Sequence, residues 1–204
     1  MKSALVLALG TCLIISCSEK VMKSPGIDAH VAVSVAEEVP AGIDVPINVH
    51  VEGELVSDSI RMYVQNEYVH SLYPEQEVQD LSYNYAFYDT GIVTHVKAEA
   101  YLPGNGVVLD EVLTRAREVY VTLQLPDTLD RTAVLEARIS PARLFSNLRL
   151  STDGLDTTIA LPATQEYIAR VTHTFPAAGY AYVEARGELN MGALVIDFQR
   201  VYVR

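Results

Sequence analysis

The chain has 204 residues, half of them hydrophobic, a formal net charge of −11 and only two cysteines. That length and composition suit one or two globular domains with cores of their own. The acidic balance works against nucleic acid, whose phosphates would be repelled rather than neutralised.

Met1-Lys2 is followed by an apolar run from Ala4 to Ile15, interrupted only by Gly10, Thr11 and Cys12. It is shorter than the roughly 20 residues a membrane span needs and fits the core of a secretory signal peptide. The run ends in Ile14-Ile-Ser-Cys17, which resembles the bacterial lipobox, where a lipoprotein signal peptidase cuts before a cysteine that carries the lipid. The resemblance implies a signal peptide over 1–16 and a lipidated tether over 17–27 that begins at Cys17. Cutting there removes Cys12 with the leader and consumes Cys17 by acylation, leaving no thiol, disulfide or thiolate metal site. Leu9-Gly-Thr-Cys12 is the rival cleavage motif, and the run is also compatible with an ordinary cleaved leader or an unprocessed N-terminal anchor. By resemblance to enterobacterial sorting rules, Ser18 after the cysteine points to the outer membrane.

The mature chain reads as alternating strands. His30 to Val35 opens the first unit, Glu37 to Gly42 reads as a turn, and Val45 to Val51 places Ile47, Val49 and Val51 on one face. Ile60, Met62 and Val64 repeat the pattern, as do Tyr83, Tyr85 and Phe87. A strand from Ile92 to Ala100 changes its inward parity near His95, which predicts a bulge. Leu102 to Gly106 reads as a hairpin loop and Leu109 to Arg117 as a strand. Glu118 to Leu125 contains no glycine or proline, so one unit runs straight into the next. The second unit shows strands at Val134 to Ile139, Asn147 to Leu150, Tyr167 to Phe175 and Gln199 to Arg204, with a turn at Ser151 to Gly154.

The two units echo each other. Ile60-Arg-Met and Leu148-Arg-Leu each stand 27 positions before a phenylalanine, Phe87 and Phe175, and Glu118-Val-Tyr-Val121 parallels Arg200-Val-Tyr-Val203. The expectation is an all-β chain of two tandem immunoglobulin-like antiparallel sandwiches, over 28–121 and 122–204, joined stiffly. The stretch Thr172-His-Thr-Phe-Pro-Ala-Ala-Gly179, with Tyr180 to Ala185 after it, resembles the polycystic-kidney-disease (PKD) and related bacterial immunoglobulin-like domains. Their Trp-Asp-Phe-Gly-Asp-Gly signature is absent, and Ala181 stands where they usually carry tyrosine. The resemblance implies a surface spacer or adhesion module without catalysis.

Candidate sites are few. The five histidines form no metal-binding pair with a carboxylate at strand or helix spacing; His173 has inward parity and reads as a core residue. No serine sits in a nucleophile turn, and no cofactor motif is present. Glu37, Glu38, Asp153 and Asp156 are too few for the six to eight oxygens calcium takes. Tyrosine gives the one hint of a ligand surface: Tyr63, Tyr68, Tyr73, Tyr83, Tyr85 and Tyr88 crowd the first unit, and Tyr180, Tyr182 and Tyr202 face outward in the second. Cross-strand aromatic pairs also stabilise bare sheet faces. The expected function is therefore a membrane-anchored, non-catalytic binding, adhesion or spacer lipoprotein of the outer membrane, with an unknown protein or glycan ligand; the alternative is a glycan-binding lipoprotein of an uptake system.

Overall fold

The computed structural model describes residues 29–53, 59–76, 78–101 and 106–204. The expected leader, Cys17, the tether over 17–27 and residues 102–105 of the expected hairpin loop lie outside these.

Period-two alternation decides where the strands form. Between Asp44 and Gly53, Val45, Ile47, Val49 and Val51 are buried while the residues between them reach outward. Among the described residues, eight strands make the first unit: β1 (Ala29–Ser34), β2 (Glu38–Pro40), β3 (Asp44–Gly53), β4 (Ile60–Val64), β5 (Glu67–Leu72), β6 (Val78–Ala86), β7 (Thr94–Tyr101) and β8 (Val107–Arg117). They form two sheets, ordered β1-β3-β6 and β2-β8-β7-β4-β5. Eight more make the second: β9 (Tyr120–Leu123), β10 (Thr128–Leu129), β11 (Thr132–Ser140), β12 (Phe145–Thr152), β13 (Leu155–Ala160), β14 (Tyr167–Thr174), β15 (Gly179–Leu189) and β16 (Leu194–Val203). Their order, β9-β11-β14 and β10-β16-β15-β12-β13, is the same order over again. Each unit is an immunoglobulin-like sandwich, with a three-stranded sheet packed on a five-stranded one around its own apolar core.

The duplication extends to register. Ile60 faces Ala100 across β4 and β7, as Leu148 faces Gly187 across β12 and β15. Phe87 and Phe175, 3 % and 1 % exposed, each follow the last strand of the three-stranded sheet, where the chain crosses to the five-stranded one. One such phenylalanine contributes several kcal/mol, since truncating a buried Phe to Ala costs about 3–5 kcal/mol. A further pair of equivalents joins the sheets: Asp110 on β8 accepts the backbone N–H of Val33 at 2.9 Å, and Asp197 on β16 accepts that of Leu123 at 2.8 Å. Each carboxylate thus satisfies an N–H on the first strand of its unit.

Three expectations are corrected. Arg200-Val-Tyr-Val203 lies in β16, but Tyr120 and Val121 belong to β9 and pair with Ser140 and Ile139 of β11. The similarity between those two segments is therefore not a structural equivalence, and the chain passes from one sandwich to the other at Glu118-Val119. The segment 37–42 is not simply a turn: Val39 is fully buried, and Glu38–Pro40 pairs in parallel with Arg115–Arg117. No bulge occurs near His95. Thr94, Val96, Ala98 and Ala100 all point inward along β7 in unbroken register, while Ile92 and Val93 precede the strand in an exposed corner.

The junction is tightly held. Arg117 donates from Nε and Nη2 to Glu38 Oε1 at 3.0 and 2.8 Å, and Arg143, in the 3-10 turn of the second unit, donates from Nε to Glu38 Oε2 at 2.6 Å. Burial acts to raise the Glu38 carboxyl, but the hydrogen bonds and charges of Arg143 and Arg117 outweigh it and hold it below the usual carboxylate range. Ile43 of the first unit and Val119 of the connector pack against the second core.

Candidate functional site

The outer face of the five-stranded sheet of the second sandwich collects the expected tyrosines. Tyr180 and Tyr202 are cross-strand partners on β15 and β16, their rings edge to face at 5.3 Å, and Tyr182 faces Arg200. The Arg200 guanidinium lies 4.4 Å from the centre of the Tyr180 ring, a cation–π contact. Tyr180, Tyr182 and Tyr202 are all exposed, so the structure brings these three predicted residues together.

Sequence reading missed the rest of this face. Phe198 is 71 % exposed, and Leu194 and Ile196 share its outward parity along β16. Starting the last strand at Gln199 hid them; the alternation Leu194, Ile196, Phe198, Arg200, Tyr202 carries the signal. The N–H groups of Tyr202 and Arg204 bond to Asp127 and Leu129. By the same parity, the backbone groups of Leu194, Ile196, Phe198 and Arg200 point to the sheet margin. Among the described residues, no strand pairs with that margin before Tyr202.

The tyrosines of the first sandwich are not one patch. Tyr83 stacks on His70 at 4.2 Å, Tyr85 meets Phe87 edge to face, and Tyr73 and Tyr88 stand exposed. Tyr63 and Tyr68 lie edge to face at 6.2 Å and, with Ser59, Arg61 and Ser71, line an open cleft of about 420 Å³ beside β4 and β5.

Several of the remaining candidates are engaged in structure. His173 is buried at the corner, with Nε2 3.0 Å from the Asp153 carbonyl and its ring against Phe175. His50 bonds Asp80 at 2.8 Å and His95 bonds Glu111. Of the acidic turn residues, Glu38 is taken by two arginines and Asp156 by Arg149, whose hydrogen bond lowers the Asp156 pKa. Among the described residues no group of three or more His, Cys, Asp or Glu could hold a metal.

No protein-family model matches this sequence, and no curated protein matches it. Similar solved structures include fibronectin(III)-like modules of Clostridium thermocellum CbhA, at 16 % identity and a TM-score of 0.37, covering 85 % of this chain and 94 % of that one. Red sea bream transglutaminase follows at 15 % identity and a TM-score of 0.36, covering 86 % of this chain and 31 % of that one. A Salmonella alpha-2-macroglobulin stands at 11 % and 0.36, covering 85 % and 16 %. Likeness at this level carries no functional weight, and the assignment of two sandwiches rests on strand order and register.

Proposed function

We propose that this chain is a non-catalytic binding and spacer module, carried on a lipid at Cys17 to the bacterial outer membrane, that presents the outer faces of two immunoglobulin-like sandwiches. The observation that supports it best is the junction. Only Glu118 and Val119 separate β8 from β9, and the Glu38 carboxylate links an arginine of each sandwich. A short connector with a packed, ion-paired seam holds two faces in fixed relation, as a spacer must, whereas a long polar linker would let them swing. The PKD-like corner at Thr172 to Gly179 and the lipobox-like Ile14 to Cys17 agree with a surface role. The test is labelling of cells with a palmitate analogue, wild type beside Cys17→Ser, with protease shaving of intact cells. Label on the wild type alone supports the anchor, and label on neither removes it; shaving separates display at the cell surface from a periplasmic position.

A glycan ligand is the second reading, favoured by the exposed Tyr180, Tyr182 and Tyr202 around Arg200. It expects Tyr182→Ala to weaken polysaccharide retention in affinity electrophoresis without lowering Tm. Unchanged retention counts against that face.

A further inference from the structure

We propose that the cleft lined by Ser59, Arg61, Tyr63, Tyr68 and Ser71 on the first sandwich binds an acidic saccharide, with Arg61 taking the carboxylate or sulfate and the tyrosines the sugar ring. The proposal rests on the binding-module half of the reading above and not on the lipid anchor.

Arg61 lies mid-strand on β4 with its side chain on the outer face, opposite Ser71 of β5 and Glu99 of β7. Among the described residues no carboxylate forms an ion pair with it. Its guanidinium sits 4.8 Å from the centre of the Tyr101 ring. Glu99, the acid nearest in register, is engaged by Lys97 Nζ at 2.7 Å and by the Tyr101 hydroxyl at 3.3 Å. Lys97 in turn lies 4.7 Å from the centre of the Tyr63 ring. Among the described residues the lining therefore carries a guanidinium and hydroxyls but no carboxylate, on a chain whose net charge is −11. Such a local positive island draws an anion out of the surrounding negative field.

The neighbouring groups select the kind of anion. The Tyr68 hydroxyl and Ser71 Oγ share a hydrogen bond of 3.1 Å, which uses one of their two protons and leaves the other for a ligand acceptor. Tyr68 is 59 % exposed and Tyr63 meets it edge-on, so a ligand finds an aromatic wall as well as donors. A pyranose has an apolar C–H face for that wall, hydroxyls for Tyr68 and Ser71, and on an acidic sugar one planar or tetrahedral anion for the fork of Arg61. A single guanidinium matches one charge per sugar and not a polyphosphate. The open shape suits an oligosaccharide lying across the sheet and not a small ligand enclosed in a pocket.

The test is calorimetric titration of the full-length protein in non-ionic detergent with three probes: an oligogalacturonate, a chondroitin sulfate tetrasaccharide and neutral maltotetraose. Binding of at least one acidic probe, at least about tenfold tighter than maltotetraose, is expected. Arg61→Gln and Tyr68→Ala should each weaken it by about tenfold or more while leaving Tm within about 2 °C, because both side chains are exposed. Tyr182→Ala should leave it unchanged. Binding of the oligogalacturonate shows that a carboxylate suffices, whereas binding of the chondroitin sulfate alone, which carries a glucuronate carboxylate as well as a sulfate, points to the sulfate. Equal binding of acidic and neutral probes, no binding by any probe to millimolar concentration, or acidic binding that survives Arg61→Gln overturns the assignment. Palmitate labelling of Cys17 fails or succeeds independently, so the loss of this site is distinguishable from the loss of the anchored-module reading.

Discussion

Replacing Glu38 with Gln tests the seam between the sandwiches. The change keeps the size of the side chain but removes the charge that two guanidiniums share. Glu38 is 18 % exposed, Arg117 32 % and Arg143 31 %, so the cluster sits between a surface pair and a buried one. Exposed pairs contribute about 0–1 kcal/mol, and breaking a buried pair costs about 3–5 kcal/mol. With the arginines a third exposed and able to regain water, a loss of about 2 kcal/mol is expected, which for a chain of this length lowers Tm by about 4–8 °C. Differential scanning calorimetry reads it, and a cycle with Arg143→Gln should give a coupling of about 1 kcal/mol across the junction. The pH dependence has a definite sign. The folded carboxyl lies below its ordinary value of 4.5, so its contribution is complete above that value and is lost as the pH falls through the lower folded one. The difference between wild type and variant should hold from about pH 7 to 5 and close in more acid solution. A Tm change under about 1 °C with no measurable coupling would refute the view that this cluster binds the two units together.

Further outcomes follow from packing. A Cβ added at Gly187 would stand 2.8 Å from the Phe145 ring and from Val121 Cγ2. Gly187→Ala should therefore destabilise by about 1–3 kcal/mol in urea unfolding, with partial rescue by Phe145→Leu. Asp197→Ala orphans the Leu123 N–H and should cost about 1–3 kcal/mol, with faster hydrogen exchange at that amide. Phe198→Lys, at a position 71 % exposed, should change stability by less than about 0.5 kcal/mol in the same urea assay.

The parts of this architecture carried by alternation were legible in the chain. Val45 to Val51, Ile60 to Val64 and Tyr167 to Phe175 announce their faces because one side of each strand is buried. What escaped reading was set by partners distant in sequence. β5 follows a tight turn at Gln65-Asn66, both at positive φ, which lacks the glycine that usually marks such a hairpin. β2 is three residues long and exists because β8 lies beside it. The Glu38 cluster joins residues 105 positions apart, and nothing in the composition of 37–42 predicts it. Of the candidate site, the outward tyrosines of β15 and β16 were readable by parity. The cleft at Arg61 was not, because it depends on which neighbours the acids of β7 had already found.

The bare rim of β16 has a consequence for crowding. Leu194, Ile196 and Phe198 flank backbone groups that no neighbouring segment occupies among the described residues, and an extended piece of another molecule can zip onto such a rim. With a charge of −11, copies repel one another at range, and this repulsion guards the rim. Salt shortens that range to about 10 Å at 0.1 M and about 3 Å at 1 M. Lateral sticking between molecules should accordingly rise with ionic strength, the reverse of what attraction between opposite charges would give.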